Sequence, residues 1–263
     1  MIKKKNIAIK AVLLDLDGVL YLGDQSITGA AASVEQLRKT GLQIAAVTNT
    51  TTQSRLSIAK KLRNFNIPAH ATDVYTPAAV AVQRICTAAA RLFIRDALQQ
   101  DFQGIRTTDI KPDFIVMGDL GGEGYSPEVL REIFLHILAG SKLLALHKNR
   151  FWQKPDGLHL DLGPFVAAIE YATGKQAAIL GKPAKDFFHG ICSNMGILPG
   201  QALMVGDDIE SDIGGAQQAG LKTALVQTGK YRADFVHQTG IKADLLLPSI
   251  ADLPDALSLL SPC

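Results

Sequence analysis

Short apolar segments that alternate with amphipathic segments are the feature that most constrains how this chain can fold. The apolar segments have the length of buried strands, and the segments between them carry apolar residues at helical spacing. The strands are predicted at residues 11–16, 42–47, 177–180, 202–205, 223–226 and 244–247, and the helices at 30–39, 54–65, 184–195, 211–219 and 250–260. This alternation predicts an α/β fold with a parallel sheet.

The middle of the chain predicts a second α/β module inserted into the first. Its strands are predicted at 91–94, 114–117 and 143–146, and its helices at 127–138 and 164–172. Two loops that contain several Gly residues or a Pro, at 118–124 and 153–157, separate them. We therefore predict a core domain formed by residues 1–78 and 179–263, and an inserted domain at 79–178.

Composition and charge narrow the range of partners. The net charge of the 263 residues is +2 and the basic residues are spread along the chain, which favours neither nucleic-acid binding nor a membrane surface. The three cysteines form no CxxC pair, which is typical of a reducing compartment. No apolar run approaches the ~20 residues of a membrane helix. These features predict a cytoplasmic protein.

Two acidic residues, Asp15 and Asp17, stand where the first predicted strand ends. Residues two apart on an extended chain share a face, so both carboxylates point the same way. Ligands bind at the strand ends of open α/β sheets, and Gly18 permits a tight turn at this point. An isolated pair of this kind is as typical of solvated turn acids as of a site, so its weight depends on the other motifs.

A second acidic group, Asp207, Asp208 and Asp212, follows the strand at 202–205. If the two strands are neighbours, up to five carboxylates face one crevice. Carboxylates held close together need a proton or a metal between them. Ligation by oxygen atoms alone favours Mg²⁺, so the sequence predicts a magnesium site.

Polar residues at two other segment ends suit a phosphate. Thr48 and Asn49 follow the strand at 42–47 and supply a hydroxyl, an amide and backbone N–H groups. Lys182 lies between a predicted strand and a helix, where its ammonium could neutralise Asp15 and a phosphate together. Taken singly, Lys182 is typical of a solvated surface lysine and Thr48–Asn49 of a polar loop.

The motifs DLDGV, TNT, GKP and GDDxxxD, in this order, resemble those of the haloacid dehalogenase-like hydrolase superfamily over essentially the whole chain. The stretches HKNRFWQKPDGLHLDLGPFVAAIEYATGK, VGDDIESDIGGAQQAG and TGKYR resemble its phospholysine phosphohistidine inorganic pyrophosphate phosphatase type. They resemble equally a group known only as haloacid dehalogenase-like hydrolase domain-containing proteins. The resemblance implies a Rossmann-like core with a large α/β cap. Some relatives of the second group lack the second acid of the first motif, which this chain keeps as Asp17.

The resemblance also implies a role for each matching residue. The implied roles are Asp15 as nucleophile and magnesium ligand, Asp17 as general acid and then base with its backbone carbonyl on the metal, Thr48 and Asn49 as holders of the phosphoryl group, Lys182 as the orienting and neutralising cation, Asp207 as magnesium ligand, Asp212 as holder of metal-bound water, and Asp208 as support for its loop.

By the same resemblance, the specificity loop of the cap lies at residues 147–152. Lys148 and Arg150 would attract an anionic substrate, and Asn149 would bind its polar groups, while Phe151 and Trp152 would pack on it. For each of these residues packing or solvation is an equally ordinary role. Related proteins with this cap type pair through it, so a homodimer through the cap is a further hypothesis. The loop at 118–124 lacks a phosphate-binding glycine pattern and receives no role.

The expected function is a Mg²⁺-dependent phosphatase for small phosphorylated molecules, including pyrophosphate or N-phosphorylated amino acids, that works through an aspartyl-phosphate intermediate. Haloacid dehalogenase chemistry needs neither Asp17 nor Asp207, so the presence of both argues against it. A phosphoacceptor signalling domain has its acidic pair before the acceptor Asp, whereas here GDD comes last, which argues against that class. A phosphotransferase such as a phosphomutase is only weakly excluded. The remaining alternative is a catalytically weak phosphate-binding or regulatory protein on the same fold.

Overall fold

Parallel sheets organise the part of the chain that the structure, a computed structural model, describes: residues 8–121, 124–154 and 157–260. The strands are β1 (Ala11–Asp15), β2 (Tyr21–Leu22), β3 (Gln25–Ser26), β4 (Gln43–Val47), β5 (Val74–Tyr75), β6 (Ala89–Phe93), β7 (Arg106–Thr107), β8 (Phe114–Met117), β9 (Lys142–Ala145), β10 (Phe151–Lys154), β11 (Gly157–Leu160), β12 (Ala178–Ile179), β13 (Ala202–Gly206), β14 (Lys222–Val226) and β15 (Leu245–Leu247). The helices are α1 (Ala30–Lys39), α2 (Arg55–Asn64), α3 (Pro77–Ile85), α4 (Pro127–Leu138), α5 (Leu162–Thr173), α6 (Lys185–Asn194), α7 (Gly215–Gln218), α8 (Ala233–Thr239) and α9 (Leu253–Leu260). Among these residues every helix is too short or too polar to cross a bilayer.

The chain divides into two compact units. The core unit contains Leu56–Tyr75 and the described parts of Met1–Thr48 and Lys182–Cys263. The insert unit contains Asn49–Arg55 and the described part of Thr76–Gly181. The α/β fold class predicted from the alternating pattern is confirmed by the parallel sheets in both units.

The core unit is built on a six-stranded sheet in the order β15-β14-β13-β1-β4-β5, in which every neighbouring pair is parallel. Every side chain of β1 is buried, because apolar clusters cover both faces of the sheet. The register pairs Leu14 with Val205 of β13 and Asp15 with Val47 of β4. The carboxyl ends of the three central strands therefore lie at one edge, which brings together the polar residues that follow them.

The insert unit contains a second parallel sheet, in the order β12-β9-β8-β6-β7. Apolar residues of α3 and of a 3₁₀ turn at Asp96–Phe102 pack on one face, and those of α4 and α5 pack on the other. An antiparallel hairpin, β10–β11, occupies the predicted cap loop from residue 151 onward.

Segment 49–55 groups with the insert unit, whereas the predicted boundaries place it in the core domain. Its polar contacts give the reason. The Asp101 carboxylate accepts the backbone N–H of Arg55 at 3.1 and 3.2 Å, and the Ser54 hydroxyl lies 3.5 Å from the Gln100 amide oxygen. The other boundaries fall between residues 75 and 76 and between 181 and 182, each three residues from the predicted position.

The helix predicted at 211–219 has a different form, a π turn at Ile209–Gly214 followed by the short helix α7. Asp208 starts this turn, because its carboxylate accepts the backbone N–H groups of Glu210 and Ser211. The backbone N–H of Ile213 reaches back five residues to the Asp208 carbonyl at 3.2 Å. The wider turn returns the Asp212 carboxylate to the backbone N–H of Asp208, at 3.2 Å.

Candidate active site

The first acidic motif occupies the end of β1 and the turn after it. Asp15 is the last residue of the strand and is 7% exposed. Gly18 has φ of 89°, a left-handed conformation that favours glycine, and its N–H donates to the Tyr21 carbonyl at 2.7 Å. A methyl group on Gly18 would overlap the Asp207 carboxylate. The turn after β1 therefore lies directly against the residue that follows β13.

Three carboxylates meet at this sheet edge. Asp15, Asp207 and Asp212 are all buried, and one oxygen of each lies within 4.8 Å of the others. Burial is the main cause that raises the pKa of Asp207 to about 6, and burial together with the neighbouring Asp15 charge raises the pKa of Asp212 to about 7. Burial also raises the pKa of Asp15, against the opposing effect of Lys182. Negative charge is therefore concentrated where little water reaches it.

Lys182 is the buried cation of the site. Its Nζ lies 2.7 Å from Asp15 Oδ1 and 2.6 Å from Asp212 Oδ1. Burial by itself lowers the pKa of Lys182, but the two carboxylates outweigh burial and the pKa is raised. The lysine therefore stays protonated and fixes the position of Asp15.

The charges of this cluster do not balance, because three buried carboxylates face one buried ammonium. Asp207 is 2% exposed, and its Oδ1 has no hydrogen-bond partner among the described residues. An unpaired buried carboxylate oxygen costs free energy unless a cation or donor satisfies it. The donor set therefore fits a divalent cation that prefers oxygen ligands.

The other residues that the sequence assigns to the catalytic motifs occupy different positions in the two units. Asp17 is exposed and lies outside the trio of carboxylates. Asp208 begins the π turn. Thr48 is buried just after β4, and its backbone N–H donates to the Tyr75 carbonyl at 3.1 Å. Asn49 belongs to the insert unit, where a methyl group on Gly181 would come within 2.6 Å of its Oδ1.

The two predicted cap residues, Lys148 and Asn149, are tied to α5 of the insert unit. Lys148 Nζ lies 2.5 Å from the Glu170 carboxylate, which is largely buried. The Asn149 carbonyl accepts the N–H of Gly163 at 2.8 Å, and its own N–H points to His147 Nδ1 at 3.4 Å. Thus the Lys148 ammonium is already paired within its own unit. The side chains of Phe151 and Trp152 lie outside the described part of the structure.

One segment of the site has no role in the sequence-based prediction, the loop of Thr228, Gly229 and Lys230 after β14. The Thr228 hydroxyl donates to the Gly18 carbonyl in a short hydrogen bond, and the Lys230 backbone N–H donates to Asp207 Oδ2 at 2.7 Å. Two signals were available in the sequence: the segment lies within TGKYR, one of the stretches that carry the family resemblance, and its Thr-Gly pair begins two residues after the end of a buried strand of the same sheet.

Comparison with known proteins identifies the relatives of this chain. Residues 12–101 match a family described as haloacid dehalogenase-like hydrolase, and residues 179–253 match one described as HAD-hydrolase-like. The chain is 40% identical over 228 residues to human haloacid dehalogenase-like hydrolase domain-containing protein 2, covering 86% of this chain and 87% of that protein. It is 34% identical over 257 residues to bovine phospholysine phosphohistidine inorganic pyrophosphate phosphatase, covering 95% and 94%.

Solved structures show the same architecture. The 4-nitrophenylphosphatase of Thermotoga maritima is 25% identical and superposes with a TM-score of 0.85, covering 95% of this chain and 97% of that one. NagD of E. coli K-12, at 24% identity and a TM-score of 0.83 over 93% and 98% of the two chains, shares the fold. These matches define a hydrolase with a parallel α/β core and an inserted α/β domain. The chain belongs to the haloacid dehalogenase-like hydrolase family, and it is an enzyme of that family's phosphatase type.

Proposed function

We propose that this enzyme is a magnesium-dependent phosphatase for small phosphorylated molecules and that Asp15 is its nucleophile. The observation that carries the proposal is the excess of buried negative charge at the end of β1, with an unpaired oxygen on Asp207. Names of similar proteins point to the substrate class, since one acts on phospholysine, phosphohistidine and pyrophosphate and another on 4-nitrophenyl phosphate.

The cation would be held by carboxylate oxygens of Asp15 and Asp207 and by the backbone carbonyl of Asp17, with Asp212 as a support. Bound there, Mg²⁺ would offset the negative charge of the phosphate that otherwise repels an attacking carboxylate. Asp208 fixes the loop of the second acidic group through the backbone N–H groups of Glu210 and Ser211.

The proposed reaction uses the acidic groups at the end of β1. A carboxylate oxygen of Asp15 attacks phosphorus, the bond to the leaving oxygen breaks, and protonated Asp17 gives its proton to that oxygen. Water then attacks the phosphorus of the aspartyl phosphate while Asp17 takes up a proton, and the bond between Asp15 and phosphorus breaks to release phosphate. Two easier steps replace one difficult hydrolysis, and a group that serves as both acid and base contributes ~10²–10⁴-fold.

Lys182 keeps the Asp15 carboxylate in one orientation, because its ammonium holds Oδ1 at 2.7 Å. A second carboxylate, Asp212, holds the lysine from its other side at 2.6 Å. Positioning of this kind is most of what phosphoryl transfer requires of a protein. We assign Thr48 and Asn49 to the transferring phosphoryl group, and Lys148 and Asn149 to the rest of the substrate.

The test is hydrolysis of 4-nitrophenyl phosphate with Mg²⁺, with EDTA, and by the variant Asp15→Asn. We expect release that depends on Mg²⁺ and falls to background in a variant whose circular dichroism matches the wild type. A second panel of pyrophosphate, phosphohistidine and phospholysine then ranks the substrates. Turnover by folded Asp15→Asn would refute the nucleophile, and no release on any substrate would favour a phosphate-binding or regulatory protein.

Two expectations from the sequence stay proposals, a cytoplasmic location and a homodimer formed through the insert unit. Support for the dimer comes from exposed apolar side chains on α4 and α5, Leu135, Leu138 and Tyr171. Light scattering over a range of protein concentrations tests it, and a monomer mass throughout would reject it. We expect neither nucleic acid nor a membrane among the partners.

A further inference from the structure

The loop of Thr228, Gly229 and Lys230, called here the 228–230 loop, contacts both acidic motifs of the core unit. Its first contact is to the turn after β1, where the Thr228 hydroxyl donates to the Gly18 carbonyl. These two residues are 210 positions apart in the chain. The bond therefore links the end of β14 to the turn that follows the proposed nucleophile.

The second contact of the loop is a close approach of its backbone. Gly229 has φ of 61°, and a methyl group on it would overlap the Asp207 carboxylate and would lie 2.6 Å from the Gly18 Cα atom. Backbone atoms of Gly18 and of Gly229 therefore pack directly against the Asp207 carboxylate, and neither position has room for a side chain. Any side chain at Gly229 would displace Asp207 or the turn.

The third contact decides which way the Asp207 carboxylate faces. Asp207 Oδ2 accepts the backbone N–H of Lys230 at 2.7 Å, whereas Oδ1 is buried and has no hydrogen-bond partner among the described residues. One oxygen is thus held by the protein, and the other is left available. A group that fixes the orientation of a metal ligand in this way raises the affinity of the site for the metal ion, although the group itself does not contact the ion.

We infer that the 228–230 loop positions the metal site: it holds Asp207 by Oδ2 so that Oδ1 faces the cation, and it locks the Gly18 turn beside it. The inference rests on the proposed function, because it assumes that Asp207 binds Mg²⁺. Thr228 and Lys230 are positioning residues, since neither is required to touch the substrate. The residues that follow β14 thereby become a fifth element of the site besides the four sequence motifs.

The test compares matched substitutions in the full chain. Thr228→Val removes the hydroxyl bond to Gly18, and its control Thr40→Val removes a similar bond to a backbone carbonyl, that of Leu37 at 2.7 Å. Gly229→Ala adds a methyl group against Asp207. Its control Gly240→Ala adds one at φ of 68° with nothing within 4 Å. Affinity for Mg²⁺ is measured by titration calorimetry on protein stripped with EDTA, and turnover of 4-nitrophenyl phosphate is followed across Mg²⁺ concentrations.

We expect Thr228→Val and Gly229→Ala to bind Mg²⁺ about 10–100-fold more weakly, the usual effect of losing a group that supports a metal ligand. Turnover should recover as Mg²⁺ is raised, and Thr228→Ser, which keeps the hydroxyl, should restore affinity. Both control variants should bind Mg²⁺ as the wild type does. If Gly229→Ala does not fold, the comparison of Thr228→Val with Thr228→Ser and Thr40→Val decides the result.

Wild-type affinity in both Thr228→Val and Gly229→Ala would overturn the inference and leave the proposed function standing, provided the wild type binds Mg²⁺ and turns over substrate. Equal losses in the test variants and their controls would also overturn it, because the effect would then be general. Wild-type protein that does not bind Mg²⁺ would overturn both the inference and the proposed function.

Discussion

Both parallel sheets carry charged residues just after the carboxyl ends of their strands, yet the charges are arranged differently in the core unit and the insert unit. In the core unit Asp15, Asp207 and Asp212 share one buried ammonium, that of Lys182. In the insert unit Arg95 follows β6 and Asp119 follows β8, and these two form a single ion pair at 2.6 Å.

Two further ion pairs of the insert unit are balanced. Lys148 pairs with Glu170, and Arg55 lies 3.6 Å from Asp101. His147, which follows β9, is buried, and burial lowers its pKa, so it resists becoming charged. These pairs hold loops to helices within the unit.

The difference shows that position at a strand end marks a candidate site, while charge balance distinguishes a site from a structural contact. A balanced ion pair needs nothing further from solution. A buried cluster with excess negative charge is incomplete by itself, and binding a cation lowers its free energy. The following variants test this distinction.

The largest effect should come from Lys182→Met, which leaves three buried carboxylates without a buried cation. We expect turnover to fall by at least about 10²-fold, because Asp15 loses its orientation and the phosphate loses a counter-charge. In EDTA the free energy of unfolding should fall by about 3 kcal/mol, because a buried ion pair is broken. This loss is at the low end for a broken buried pair, since protonation of the acids relieves part of their mutual repulsion.

Lys185→Met is the control for this prediction, since Lys185 is an exposed lysine at the start of α6. Urea unfolding with and without Mg²⁺ measures the stability. If Lys182→Met is as stable as the control in EDTA, the buried cluster does not depend on its lysine and the contrast between the two units fails.

The next effect is a dependence of stability on pH. In the metal-free protein the pKa values of Asp207 and Asp212 are about 6 and about 7, against 3.8 for an ordinary aspartate. The folded protein then holds protons that the unfolded chain has released, so this contribution to stability is present at low pH and is lost as the pH rises through these values. Thermal unfolding in EDTA should occur at lower temperature as the pH rises from about 4 to about 7.

Added Mg²⁺ should oppose this loss, so the difference in unfolding temperature between Mg²⁺ and EDTA should widen as the pH rises. His147 acts in the opposite direction, because its lowered pKa disfavours the folded state at low pH. Asp212→Asn isolates the carboxylate contribution and should flatten the EDTA curve. A difference that narrows toward high pH would contradict the unbalanced cluster.

Residue type and position were enough to predict which charged groups meet in the core unit. Asp15, Asp207, Asp212 and Lys182 stand at segment ends in the sequence, and parallel strands bring such ends to one edge. The alternating pattern likewise predicted the parallel sheets, because buried strands and amphipathic helices leave a periodic signal.

Contacts that depend on backbone atoms left no such signal. The Lys230 N–H that holds Asp207 is present in any residue but proline, so residue type cannot reveal it. The pairing of Lys148 with Glu170 joins residues 22 positions apart, which no local pattern encodes. Helix α3 had a readable start, Thr76 followed by Pro77, which the strand-centred prediction passed over.

A smaller effect is expected when the balanced pair of the insert unit is broken. Arg95→Leu, Asp119→Asn and the double variant form a cycle that measures the coupling between the two charges. We expect a coupling of about 1 kcal/mol, because the pair is only partly shielded from water. Neither single variant should change the affinity for Mg²⁺. A loss of Mg²⁺ affinity would mean that the insert unit contributes to the charge balance of the site.

The smallest effect should come from Lys148→Met, which tests whether the predicted cap lysine binds substrate or only secures its loop. The Lys148 side chain is 36% exposed and its ammonium pairs with Glu170 at 2.5 Å, so its loss should cost less than about 1 kcal/mol of stability. If Lys148 attracts the substrate, KM for 4-nitrophenyl phosphate should rise, by less than about tenfold because water and salt screen the charge.

Glu170→Gln separates the two roles, because it weakens the pair while keeping the ammonium. A substrate-binding Lys148 predicts that KM rises in Lys148→Met and stays level or falls in Glu170→Gln, with kcat unchanged in both. If the two variants raise KM equally, the pair acts by holding the loop to α5, and Lys148 then belongs with the other balanced pairs of the insert unit.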